Sequence, residues 1–203
     1  MTDRRRLVQS TAAILGAGLA AAAPVGAGPA QAGRAGAGPV LLTVTGAVRR
    51  PNRGALDPAL DQLMAKQQLQ FTQAHAFDFA ALARLPAHGL RPTLEYDARA
   101  HRLRGPLLTD VLHAAGAPTG DTTALALRAL DGYTARLSLG EARRLGLIVA
   151  THLDGQPMAL GGLGPLWAVL DADRIPELAA KPLAERFAVC PWGLYHIGVD
   201  EPA

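Results

Sequence analysis

Apolar residues in this chain come in short bursts. Some alternate with polar residues, as in a half-buried strand; others recur every three or four positions, as on one helix face. Positions 40–46, Val-Leu-Leu-Thr-Val-Thr-Gly, are β-prone and end at a glycine, which predicts a strand. Asp57-Pro58 reads as a helix start, with Asp as the N-cap and Pro at the first helical position. Leu60, Leu63 and Met64 then share one face of a helix ending near Gln68. Positions 69–72 alternate and predict a short strand. Asp78 caps a short helix carrying Phe79, Leu82 and Leu85, closed by Pro86. Positions 93–96 predict another strand. Positions 106–115 predict a helix with Leu107, Leu108, Val111 and Leu112 inward, stopped by Gly116.

The second half is punctuated more clearly. Two β-prone runs, 124–130 and 133–137, flank Asp131-Gly132, a hairpin signal in which both central residues take positive φ. Ser138 and Glu141 have capping-box spacing for a short helix through Leu145. Positions 147–153 predict a strand, Asp154-Gly155 a tight turn, and 165–170 a further strand. Positions 187–189 and 194–199 finish the chain in β structure. The pattern is that of an α+β domain, a mixed β core with short helices, without repeats or heptads.

The N-terminus changes the picture. Arg4-Arg5-Arg6 precedes a weakly apolar run at 12–23, shorter than the roughly 20 residues a membrane span needs. Ala30-Gln31-Ala32 fits a signal-peptidase site, so cleavage is expected before Gly33. Arg4-Arg5 followed by Leu7-Val8 fits a twin-arginine signal, the alternative being a general secretory one. The expected organisation is a signal at 1–32, a Gly/Ala-rich flexible lead-in at 33–39 and one domain at 40–203. The expected location is the periplasm, with no stable membrane anchor after cleavage. The chain carries +3 formally, but the signal holds three of its 20 basic residues and one of its 17 acidic ones. The mature part is therefore near neutral, and no basic run is interleaved with aromatics, which argues against nucleic acid.

Candidate chemistry is sparse. The six histidines, His75, His88, His101, His113, His152 and His196, form no metal-binding spacing on a helix. His113 is expected on the surface and His196 inward. Ser10 and Ser138 are the only serines, and no nucleophile elbow exists. Cys190 is the only cysteine, so neither an internal disulfide nor a Cys-based zinc site can form. Gly161-Gly162-Leu163-Gly164 precedes a strand rather than a helix, which suits a tight connection better than a phosphate cradle.

Five segments, in order, carry a resemblance. They are Gly105-Pro-Leu-Leu-Thr-Asp-Val-Leu-His-Ala-Ala-Gly116, Ala129-Leu-Asp131-Gly-Tyr133 with Leu137-Ser138-Leu139, the stretch Val149 to Met158, Gly164-Pro-Leu-Trp-Ala-Val-Leu170, and Trp192-Gly-Leu-Tyr-His-Ile-Gly-Val199. Together they resemble the oxidoreductase molybdopterin-binding domain family, which has the sulfite-oxidase-type fold, in a small periplasmic version. The resemblance implies a pocket for molybdopterin with molybdenum on a cysteine thiolate, a soft ligand suited to that metal. This chain departs there: Thr93-Leu94-Glu95-Tyr96 places Tyr96 where the cysteine belongs. The candidate cofactor-binding residues are Tyr96, Arg104, Asp131, Tyr133, Arg136, His152 and Trp167; Asp131, Tyr133 and Trp167 match family positions, Arg104 is a local basic candidate, and no metal ligand or catalytic residue is assigned. Arg99 and Arg102 are further local basic candidates. Three functions follow: an exported redox protein of this family with a non-cysteine metal environment, a non-catalytic ligand-binding or sensory module on the same fold, or an accessory subunit of a redox enzyme. The expected partners are a small-molecule ligand or a redox partner protein.

Overall fold

In a computed structural model, residues 38–200 are described; the expected signal and nearly all of the lead-in lie outside them. Among the described residues, eleven strands run in chain order. They are β1 (Val40–Gly46), β2 (His75–Asp78), β3 (Ala87–Leu90), β4 (Leu103–Pro106), β5 (Ala124–Ala129), β6 (Thr134–Ser138), β7 (Ile148–Ala150), β8 (His152–Leu153), β9 (Gln156–Pro157), β10 (Trp167–Val169) and β11 (Leu194–Val199). Five short helices interrupt them: α1 (Gln62–Lys66), α2 (Phe79–Ala83), α3 (Leu108–Ala115), α4 (Leu139–Arg144) and α5 (Pro176–Ala179). The main sheet has five strands, ordered β2-β1-β11-β5-β6; a second has the order β3-β4-β8-β9, and β10 pairs with β7. The last strand thus lies at the centre of the main sheet, parallel to the first.

Alternation along the main sheet sorts its two faces. Leu42, Val44, Phe77, Leu125, Leu127, Ile197 and Val199 join the core with Leu108, Val111 and Leu112 of α3 and the buried strands β7 and β10. The opposite face carries Thr43, Thr45 and His196, all buried. His196 Nδ1 accepts from the Arg128 guanidinium at 3.2 Å. A guanidinium can only donate, so the ring proton sits on Nε2 and is donated to Thr45 Oγ1 at 2.9 Å. Burial and the adjacent Arg128 push this imidazole down to about 3, so it is a neutral structural group. The inward placement expected of His196 is what the fold shows, and His113 is exposed.

Local signals set several elements. Asp78 accepts from the Ala81 amide at 2.6 Å and opens α2. Ser138 accepts from the Glu141 amide at 3.1 Å and opens α4. Gly116 closes α3 in the left-handed region at φ 74°. Gly105 is fixed by packing instead: a Cβ there would collide with the Val149 carbonyl where β4 lies against β7. The β5–β6 hairpin forms, but only Gly132 takes positive φ, at 94°. The Gly132 amide donates to Ala129 at 3.0 Å and the Ala129 amide to Tyr133 at 2.9 Å. This is a three-residue loop with a glycine bulge, not the two-residue turn expected.

Other expectations fail where local pattern met no partner. Positions 69–72 form no strand, because β2 takes the edge of β1. Positions 93–96 lead into a turn, closed by a bridge between Thr93 and Ala100. Positions 187–189 are also a turn. Pro106 ends β4 rather than starting α3. The run 147–153 splits at Thr151, so β7 pairs with β10 while β8 pairs with β4. Asp57 caps a turn through the Ala59 and Leu60 amides, yet α1 spans only five residues and buries none of them. Its expected inward face is open, with Leu60 82% exposed.

Candidate functional site

Three loops converge on a cavity of about 290 Å³. The 93–100 hairpin brings Glu95 and Tyr96, the β5–β6 turn brings Asp131 and Tyr133, and the segment before β11 brings Phe187, Cys190 and Trp192. The Tyr96 ring lies 6.4 Å from that of buried Trp167, and Phe187 lies 6.1 Å from the same indole. Trp167 Nε1 donates to the Cys190 carbonyl at 2.9 Å, which ties β10 to this segment. The Tyr133 hydroxyl donates to the Ala188 carbonyl, which holds the ring at the cavity edge. Tyr133 also donates its amide to Asp131 Oδ1 at 2.9 Å.

Four of the seven residues singled out from sequence therefore meet: Tyr96, Asp131 and Tyr133 in the lining, and Trp167 against Tyr96. The other three stand elsewhere. Arg104 and His152 face each other across the β4–β8 pair, and Arg136 is exposed on the edge strand β6. Thr151 Oγ1 and His152 Nδ1 lie 2.8 Å apart, and the His152 ring packs near Phe79 at 5.5 Å. Glu95, Phe187, Cys190 and Trp192 line the cavity too but were not among the candidate site residues. The run Cys190-Pro191-Trp192 just before the final strand is the signal that the sequence offers.

The electrostatics of the cavity are one-sided. Two carboxylates, Glu95 and Asp131, line it, and no lysine, arginine or histidine does. Burial, then the neighbouring Glu95 carboxylate, pushes the Tyr96 phenol up to about 12. Burial pushes the Cys190 thiol up to about 12 as well, so it is held protonated.

The hairpin that presents Tyr96 is pinned by His101. Its Nε2 contacts Asp97 Oδ2 at 2.9 Å and its Nδ1 contacts Asp154 Oδ2 at 2.7 Å. Ionised carboxylates only accept, so both ring nitrogens carry protons and the ring is an imidazolium. These hydrogen bonds, the one to Asp154 first, raise the His101 pKa. Asp154 also accepts from the Arg102 amide at 2.8 Å. The clamp thus joins the hairpin to the β8–β9 turn, where Asp154 and Gly155 both take positive φ as expected.

A second cavity, about 400 Å³, lies between the α1 segment and the polar face of the main sheet. Leu60, Leu63, Met64, Leu130 and Leu160 line it, with Thr43, Arg53 and Asp61. Arg53 is paired with Asp61, and Thr43 Oγ1 is buried without a hydrogen-bond partner.

No protein-family model matches the chain, and no curated protein matches it. Its fold is similar to a solved structure, the sulfane dehydrogenase SoxCD from Paracoccus pantotrophus, with a TM-score of 0.50 at 12% identity. The match covers 79% of this chain and 38% of that one, so the chain spans well under half of its neighbour's length. At that identity the likeness speaks for architecture alone. The chain has a mixed α+β fold of the sulfite-oxidase type, shared with part of a much longer oxidoreductase chain.

Proposed function

We propose that this protein is an exported binding module: it keeps the sulfite-oxidase-type fold and uses the Tyr96 cavity for a small ligand rather than for molybdopterin. The observation that carries this reading is the donor set of the cavity. Molybdopterin brings a phosphate and needs cations around it, whereas Glu95 and Asp131 would repel it and no basic side chain lines the space. The resemblance implies a thiolate on the metal, whereas a phenol stands at position 96 and burial keeps the Cys190 thiol protonated. Arg104, Arg136 and His152 could serve a phosphate only at a different surface, since none borders the cavity. The residues present do not fit the group.

The deciding experiment is metal analysis, with an assay for released pterin, on mature protein purified from its own periplasm. Neither molybdenum nor pterin is expected. Molybdenum and pterin near one per chain would overturn the proposal in favour of a second reading, a redox enzyme of the family with an unusual metal environment. One feature favours that second reading: Cys190 lies in the same lining as Tyr96.

Export rests on the N-terminal pattern. Arg4→Lys with Arg5→Lys is expected to abolish periplasmic accumulation if the twin-arginine route is used. An unchanged periplasmic yield would exclude that route.

A further inference from the structure

Three aromatic rings stand partly open at the cavity on the Tyr96 hairpin: Tyr96 at 54% exposure, Tyr133 at 48% and Trp192 at 39%. The charged side chains among them are Glu95 and Asp131, both carboxylates. Aromatic faces are electron-rich and attract a cation placed over them, and cages of such rings recognise methylated ammonium groups. Carboxylates beside the rings add direct Coulomb attraction.

Other ligand classes fit less well. An anion meets two carboxylates and no cation. A transition metal lacks ligands, for the lining has no histidine and its thiol is protonated. Among the described residues, no three His, Cys, Asp or Glu side chains are placed to hold a metal ion. A small inorganic cation would leave three large rings unused. A neutral apolar molecule would leave the negative charge of the two carboxylates unbalanced.

The walls are also preorganised. Tyr133 is tied to the Ala188 carbonyl. Trp167 is tied to the Cys190 carbonyl and backs both Tyr96 and Phe187. The Tyr133 and Tyr96 walls therefore need little ordering when a ligand arrives, which favours binding.

Resting on the binding-module reading, we propose that this cavity binds a small organic cation. Its methylated ammonium group lies among Tyr96, Tyr133 and Trp192, and Glu95 and Asp131 balance its charge. The volume, about 290 Å³, suits a compact head with a short tail.

The test uses titration calorimetry on the mature protein with two probes of the same shape. One is choline; the other is the neutral alcohol in which carbon replaces the ammonium nitrogen. Choline is expected to bind about tenfold more tightly than the alcohol. Glu95→Gln and Trp192→Ala should each weaken choline about fivefold, while Trp192→Phe, which keeps a ring, should weaken it less than about twofold. Thermal unfolding of each variant separates lost binding from lost fold. Equal binding of the two probes would overturn the proposal, and so would no choline binding by folded protein free of molybdenum and pterin. In both cases the binding-module reading stands and only the ligand class falls. Molybdenum and pterin in the same preparation would instead overturn the reading beneath it.

Discussion

Two cavities among the described residues differ in how they are made. The one at Tyr96 is built from three loops whose side chains are tied to other elements through Trp167, Tyr133 and His101. The one beside α1 is larger and mostly apolar, with exposed Leu60 and Leu160 at its border and the unpartnered Thr43 hydroxyl in its lining. A five-residue helix that buries none of its residues leaves that gap over the sheet. Volume alone favours the second cavity as a candidate. Convergence of anchored polar and aromatic groups favours the first, because each anchored group binds with little further ordering cost.

Three substitutions or conditions probe that contrast. The largest effect is expected from Trp167→Ala, which removes the largest fully buried side chain and its hydrogen bond to Cys190. It should cost about 3–5 kcal/mol in denaturant unfolding. It should also loosen the Tyr96 cavity while leaving the cavity beside α1 unchanged. A loss below about 1 kcal/mol would mean that the indole does not organise the first cavity.

Thr43→Val should act in the opposite direction. It removes a buried hydroxyl that has no partner, so stability should rise by about 1 kcal/mol, read as a higher urea midpoint at constant slope. A fall would mean that the hydroxyl is satisfied and that the second cavity is as deliberately built as the first.

The smallest effect concerns the exposed His101 clamp. The pKa of His101 is raised from 6.5, so its contribution is complete below that value and is lost as pH rises through the higher folded value. Asp97 and Asp154 are held below their ordinary 3.8, chiefly by hydrogen bonds to His101. Their contribution is present above 3.8 and is lost as pH falls through the depressed values. Arg99 and Arg102 are the other charged groups that act on these carboxylates. The clamp is thus tightest between the ordinary values of the carboxylates and of histidine. Amide exchange across 93–100, corrected for intrinsic rate, should be slowest in that window and speed up as His101 deprotonates. A flat profile would remove His101 from the anchoring of the first cavity.

Sequence legibility followed the range of the interactions. The strand at 40–46, the Asp78 and Ser138 caps, the Gly116 stop, the Asp154-Gly155 turn and the final strand at 194–199 could all be read. Each is fixed by propensity, or by a hydrogen bond within three or four positions. The short strands expected at 69–72, 93–96 and 187–189 did not form, because strand pairing needs a free partner that local alternation cannot report. For the same reason the stretch 147–153 read as one strand and serves two sheets.

By itself the sequence determined the α+β class, most of the caps and turns, and the departure from a thiolate ligand at Tyr96; that Gly105 lets β4 approach β7 emerged only from the packing. The tertiary structure decided which residues share a cavity. Cys190 and Trp192 meet Tyr96 from almost a hundred positions away, while Arg104, Arg136 and His152 are carried elsewhere by strands of other sheets or edges. Caps and turns depend on bonds between near neighbours, which a sequence displays. A cavity depends on where distant loops come to rest once the apolar face of the sheet is buried, which only the folded chain fixes.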